Sequence, residues 1–278
     1  MILASFLFAC MGVCVKLAAQ TLAAAEIVFY RSVISLLLMA VVVRLRGVPL
    51  ATPHWRWQIS RGLSGFLALC CYFLALSLLP LATAVTLNYT SAIFLAIILA
   101  LFGWRLTTGM IGALLVGLAG VAMLLKPAFH ADLLFGGLIG LASGAFAGLA
   151  YYNVRELGAK GEPESRTVFY FSLVSSGGAA IWLAFAEMHA LGGSEILLLF
   201  GVAGFATVAQ LAMTRAYARG KTLVAAVLAY SAVIFASFFG VFLFDETLDA
   251  GAWLAIVLIV AAGLAATHFS RTAPSEPN

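Results

Sequence analysis

Ten apolar stretches follow one another along the chain: residues 1–19, 25–43, 61–79, 83–102, 107–126, 133–152, 167–186, 195–214, 222–244 and 249–268. Each has roughly the 20 mostly apolar residues that a helix needs to cross a bilayer. The joints hold the breakers Pro49, Pro53, Pro80, Pro127 and Pro163. None of the seven prolines lies inside a stretch, so no proline kink is expected to break a helix. Strands of a membrane barrel would alternate apolar with polar residues, whereas these runs are apolar all round. Only 9% of the residues are charged, against about 25% in soluble domains. So little polar surface cannot cover a protein in water, and the expected solvent is lipid. The fold class that follows is an all-α integral membrane protein with ten transmembrane helices.

The chain also repeats itself. Val28-Phe29-Tyr30-Arg31-Ser32-Val33-Ile34-Ser35 returns as Val168-Phe169-Tyr170-Phe171-Ser172-Leu173-Val174-Ser175, with five of eight positions identical. Gly65-Phe66 echoes Gly204-Phe205, and Ser91-Ala92 echoes Ser231-Ala232. Two copies of one five-span unit are expected, over 1–127 and 133–268, with 269–278 as a tail. With the N-terminus inside, 12 of the 15 lysines and arginines fall on the cytoplasmic side and three, Lys16, Arg31 and Lys126, on the other. That bias reads as N-in, C-in. Five spans per copy is an odd number, so the second copy enters from the opposite face. The expectation is an inverted-topology repeat, as in many secondary transporters. Ala23-Ala24-Ala25 mimics a signal cleavage site, but Lys16 and the lack of a basic n-region favour a retained first span.

Polar side chains are costly in lipid and often functional there. The substrate-binding candidates are Tyr72 on span three, Thr86, Asn88, Tyr89 and Ser91 on span four, Gln210 and Thr214 on span eight, and Tyr230 and Ser231 on span nine. Serine and threonine can instead bond a carbonyl of the preceding turn; Asn88 and Gln210 need a partner or water. Gly136, Gly140, Gly144 and Gly148 recur every fourth residue on span six, a pattern for close helix packing or for a face that slides during gating. Arg31 is expected to snorkel to the outer interface or to pair with Glu26. Its counterpart is Phe171, so the octet is read as scaffold, with Arg31 marking a difference between gates rather than a substrate contact.

What is absent narrows the function. The acids and histidines lie in loops or near span ends, so no mid-membrane carboxylate or histidine offers a proton relay. No catalytic constellation, metal set or cofactor motif is present, and no basic run suggests nucleic acid. Cys10, Cys14, Cys70 and Cys71 sit in apolar runs and read as packing.

These features together resemble the drug/metabolite transporter superfamily and, within it, the EamA-type ten-helix carriers. The stretches that carry the likeness are Ala75-Leu76-Ser77 through Asn88-Tyr89-Thr90-Ser91 to Gly103-Trp104-Arg105-Leu106-Thr107, and Tyr230-Ser231-Ala232 to Asp245-Glu246-Thr247-Leu248. The family usually has Gly-Glu-Arg-Leu at the end of the fourth span; here Trp104 stands where the acid is expected. The chain looks most like the YddG-type aromatic amino acid exporters, without a substrate-diagnostic motif. The resemblance implies a central cavity lined mainly by spans one, three, four, six, eight and nine.

The functional expectation is a multi-pass exporter in the bacterial inner membrane. Its partners would be a small-molecule substrate and the lipid bilayer, and a monomer would suffice. The substrate would be neutral and partly hydrophobic, with aromatic amino acids first, moved by alternating access. A broad drug or nucleobase exporter is the alternative on the same scaffold, and a non-transporting membrane scaffold is the alternative from another class.

Overall fold

The structure, a computed structural model, describes residues 1–79, 81–104, 106–125, 134–186, 188–244 and 248–272. All of their regular secondary structure is helical. The helices are α1 (Ile2–Ala18), α2 (Ala24–Leu45), α3 (Trp55–Leu78), α4 (Leu81–Tyr89), α5 (Ser91–Leu101), α6 (Thr108–Leu125), α7 (Leu134–Ala159), α8 (Glu164–Leu183), α9 (Gly193–Arg219), α10 (Thr222–Ala229), α11 (Ser231–Phe244) and α12 (Ala250–Thr272). Among the described residues, eight helical stretches are long and apolar enough to cross a membrane. The other two helices, α1 and α8, are shorter or more polar. The expected features at Arg105, Lys126, Pro127, Glu187, Asp245-Glu246-Thr247 and 273–278 lie outside the described residues.

Helix ends depart from the apolar boundaries in a consistent way. Helix α3 starts at Trp55 rather than at 61, α7 runs to Ala159 rather than 152, and α9 to Arg219 rather than 214. Apolar content marks where the hydrocarbon ends, whereas backbone hydrogen bonding carries a helix on into polar turns. Helix α7 then stops at a left-handed residue, Gly161 (φ 75°). The Glu162 and Gly161 N–H groups bond back to the carbonyls of Leu157 and Gly158, each at 3.0 Å, which satisfies the last turn.

Two apolar stretches are split although neither contains proline. Helices α4 and α5 meet at Thr90, and α10 and α11 meet at Tyr230, its equivalent in the repeat. At each junction the backbone N–H reaches back three residues instead of four. Thr90 N donates to Leu87 O at 3.2 Å, and Tyr230 N donates to Val227 O at 3.1 Å. A hydroxyl completes each break: Thr90 Oγ1 donates to Leu87 O at 2.5 Å and Ser231 Oγ to Leu228 O at 2.7 Å. A tightened turn satisfied by a side chain does here what proline does elsewhere.

Packing between the halves comes in exchange-related pairs. The octets place α2 opposite α8 in the alignment, so α1 corresponds to α7, α3 to α9 and α6 to α12. Helix α1 packs on α9 as α7 packs on α3. Helix α2 meets α9 as α8 meets α3, and α1 meets α11 as α7 meets α5. Helices α2 and α8 pack on each other, as do α6 and α12. The outer surface carries large exposed apolar side chains, among them Leu45, Leu101, Phe185, Leu197 and Phe242. Such a surface is neutral against lipid and an aggregation hazard in water.

Two buried carboxylates fasten the connections. Glu26, at the start of α2, is fully buried. Its Oε1 accepts the His189 N–H at 2.7 Å, and its Oε2 accepts the Ala23 N–H at 2.8 Å and lies 2.8 Å from His189 Nδ1. Glu162, before α8, accepts from Gln58 Nε2 at 3.0 Å and Arg166 Nη1 at 2.9 Å, and it also bonds Thr52. Glu26 is thus committed to His189 and Ala23 and not to Arg31, which removes one of the two alternatives the sequence left for Arg31.

Three of the four glycines of α7 receive the split helix, and the fourth, Gly136, faces the end of α3. A Cβ on Gly136 would meet Leu79 Cδ2 at 2.8 Å, and one on Gly140 would meet Leu87 Cδ1 at 2.7 Å. At Gly144 it would meet Leu87 O at 2.9 Å, and at Gly148 the Ser91 carbonyl at 3.0 Å. Gly144 and Gly148 are the seat of the α4–α5 junction, and only a hydrogen atom fits between the backbones there.

Candidate functional site

The helix breaks gather tyrosines. Tyr89 closes α4 and Tyr230 lies between α10 and α11; their rings meet edge-on with centroids 5.8 Å apart. Tyr230 fits because α6 has a glycine opposite it: a Cβ on Gly117 would come within 2.6 Å of its Cδ2. Its hydroxyl is buried without a hydrogen-bond partner. Tyr151 of α7 stacks on Tyr217 of α9, centroids 4.6 Å apart and planes at 10°. Tyr89 is within electrostatic reach of Tyr72, Tyr151 and Tyr230. Tyrosines from α3, α4, α7, α9 and the α10–α11 junction therefore converge, on spans three, four, six, eight and nine. Their rings form apolar walls and their hydroxyls form polar points, which suits a ring-bearing molecule with a polar end.

A second polar region lies beside the first. Helices α2, α8 and α9 enclose a cavity of about 10 Å³ lined by Ser32, Ser35, Ser172, Ser175, Arg31 and Gln210. The four serines come from equivalent positions of the two octets, so the repeated segments meet here. Thr207 Oγ1 lies 2.8 Å from Ser35 Oγ and 2.7 Å from the Ala203 carbonyl. Ser175 Oγ and Gln210 Nε2 are buried without partners. The volume is close to that of a single water site and too small for a metabolite. Arg31 has no ion-pair partner among the described residues.

Arg61 of α3 connects the two regions. Only 3% of it is exposed. Its guanidinium carbon lies 4.4 Å from the ring centre of Phe171, a cavity-lining residue, and it is within electrostatic reach of Tyr151. Gly65, one turn on, leaves the space it occupies: a Cβ there would clash with Arg61 Nη1 and approach Phe171 Cε2 to 2.9 Å.

The remaining sequence candidates are distributed between site and scaffold. Asn88 Nδ2 donates to Ser143 Oγ across α4 and α7 at 3.1 Å, and Ser143 donates to Gly140 O at 2.7 Å. Ser91 is buried against Gly144 and Gly148, and Ser231 caps its own break. Thr86 and Thr214 are buried, the latter with Oγ1 unpartnered. Arg61, Tyr151, Tyr217 and the octet serines were not among the sequence candidates. The signal for the serines was in the repeat itself, whose conserved polar positions face inward. Arg61 sat within the cytoplasmic arginine tally, and its depth shows only once α3 begins at Trp55. Among the described residues, no three of His, Cys, Asp and Glu converge as a metal site would require.

Comparison with known proteins gives this arrangement a context. The sequence profile described as the EamA-like transporter family matches twice, over residues 1–126 and 134–267. The chain belongs to the EamA-like transporter family. It is 35% identical to the pseudopaline exporter CntI of Pseudomonas aeruginosa (strain UCBPP-PA14), over 98% of this chain and 94% of that protein. It is 27% identical to an uncharacterized transporter of Helicobacter pylori (strain J99), over 95% of this chain and 91% of that one. A solved crystal structure at 22% identity superposes with a TM-score of 0.83 over 96% of both chains, which shows the shared fold. A transporter is thus what the family places here, in a multi-pass membrane fold. One departure from the EamA pattern has a local explanation: Trp104, where an acid is usual, lies under Arg155, whose guanidinium carbon is 4.1 Å from its ring centre.

Proposed function

We propose that this EamA-like transporter crosses the bacterial inner membrane ten times, N-in and C-in, as two inverted five-helix repeats, and exports small organic molecules by alternating access. The substrates proposed first are amino acids and similar metabolites with an aromatic or apolar portion. The observation that carries this reading is the convergence of Tyr72, Tyr89, Tyr151, Tyr217 and Tyr230 at the two helix breaks. Rings stack on rings, and paired helix breaks at a site between repeats are a recurrent feature of transporters. The glycine seat on α7 supports a junction that shifts as the halves rock.

A second reading has its own support. The relative at 35% identity is named for exporting pseudopaline, and that compound is a candidate substrate for this chain. Both readings are tested by counterflow in proteoliposomes containing the purified chain. Labelled L-phenylalanine should exchange saturably and be blocked by L-tryptophan. Competition by pseudopaline, with no competition among amino acids, would favour the second reading over the first.

A further inference from the structure

Arg61 is the group that the scaffold does not account for. A buried guanidinium is costly unless it is ion-paired or fully hydrogen-bonded. Arg61 is 3% exposed, yet its Nε and Nη1 are buried without an acceptor, and no carboxylate among the described residues pairs with it. Other buried charges of the fold are committed: Arg166 to Glu162, and Glu26 to His189 and Ala23. Arg61 instead rests on the face of Phe171, which engages the flat side of the guanidinium and leaves the Nε and Nη1 N–H groups without an acceptor among the described residues. Gly65 keeps that geometry open. The residue aligned with Arg61 in the second repeat is Phe200, and the one aligned with Arg31 is Phe171. Phe171, the counterpart of Arg31, is the ring on which Arg61 rests, whereas Phe200 faces outward, 59% exposed.

We propose that Arg61, seated on Phe171 beside the tyrosine cluster, is the anchor for a substrate carboxylate. The exported molecules are then organic acids or zwitterions, and simple amines or lipophilic cations are excluded. A guanidinium whose Nε and Nη1 N–H groups have no acceptor among the described residues can donate charge-assisted hydrogen bonds to a carboxylate. Arg31, on the wall of the cavity between α2, α8 and α9 and without an ion-pair partner among the described residues, adds positive potential. The proposal rests on the export reading for its cargo but not for its chemistry, because the unpartnered guanidinium is there whichever molecule is carried.

The test is thermal stabilisation of the purified full chain by L-phenylalanine, 3-phenylpropionate, phenethylamine and succinate, since a ligand that binds the folded state raises its melting temperature. The two aromatic carboxylates should stabilise saturably and phenethylamine should not. Arg61→Gln should weaken both by at least about tenfold, the scale of a charge-assisted hydrogen bond, and Arg61→Lys should fall between. Without ligand, Arg61→Gln should melt no lower than the wild type, because it removes an unpaired buried charge. A variant that melts well below wild type without ligand would assign Arg61 to the scaffold and overturn the proposal. Undiminished carboxylate binding to Arg61→Gln would overturn it too, as would a wild type that no carboxylate stabilises. Stabilisation by succinate alone, lost in Arg61→Gln, would keep the anchor and remove the aromatic reading. Stabilisation by phenethylamine, indifferent to Arg61→Gln, would do the reverse.

Discussion

Adding one methyl group to α7 at Gly144 tests whether the α4–α5 break is held by close backbone packing. At this position the new Cβ would face Thr90 Oγ1, lie 2.9 Å from Leu87 O and 3.3 Å from Ser91 N. Two of these three atoms are backbone, so they cannot swing aside and the junction itself must shift. Overpacking of this kind costs about 1–3 kcal/mol. Alanine also gains up to about 1 kcal/mol over glycine in a helix, which would mask part of the loss. Gly137 supplies the control, because a Cβ there meets nothing within 4 Å while the propensity gain is the same. The two alanine variants should therefore differ by about 1–3 kcal/mol, with Gly137→Ala at or above wild type and Gly144→Ala below it. Thermal melting of the detergent-solubilised proteins measures the gap, and counterflow should fall in Gly144→Ala alone. Equal melting and equal flux in the two variants would refute the idea that the stripe seats the break.

Other perturbations separate the fastenings of the fold from its site. Glu162→Ala strands Arg166 as a buried unpaired cation and should cost about 3–5 kcal/mol, seen as a large loss in melting temperature. Glu26→Gln forces an amide N–H toward His189 or Ala23 and should cost about 1–3 kcal/mol, with faster hydrogen exchange over residues 188–192. Asn88→Ala or Ser143→Ala removes one interhelical bond; in a membrane such bonds average about 0.6 kcal/mol, so each should shift melting only slightly. Tyr230→Phe removes a buried hydroxyl that has no partner among the described residues, so it should leave melting unchanged and reduce substrate affinity.

Much of the architecture is legible in the sequence because lipid imposes one strong rule: each crossing must be an uninterrupted run of apolar residues with its own hydrogen bonds. That is why the helices fall on the apolar stretches, and why the duplicated octet marks α2 and α8, which pack on each other. The rule is silent about hydrogen bonding within a run. Thr90 and Tyr230 therefore break helices without a proline to announce it, and the cause is visible only in the shifted carbonyl partners of Leu87, Val227 and Leu228. The site was legible in part. Depth within a span singled out Tyr72 and Tyr230, whereas Tyr151 lies at the end of apolar stretch 133–152 and Tyr217 beyond stretch 195–214. Asn88, an amide that needs a partner within a span, finds one in Ser143 on the neighbouring helix, which no sequence pattern named. Arg61 was hidden because arginines near span ends are normally read as topology signals, and burial depends on which helices surround them.

The most direct test of the account is saturable exchange of labelled L-phenylalanine by proteoliposomes containing this chain, compared with Tyr89→Ala and Arg61→Gln. The account predicts exchange in the wild type and its loss in both variants, while each variant still inserts and folds. Absence of saturable exchange for L-phenylalanine and pseudopaline alike, or exchange that survives both substitutions, would contradict it.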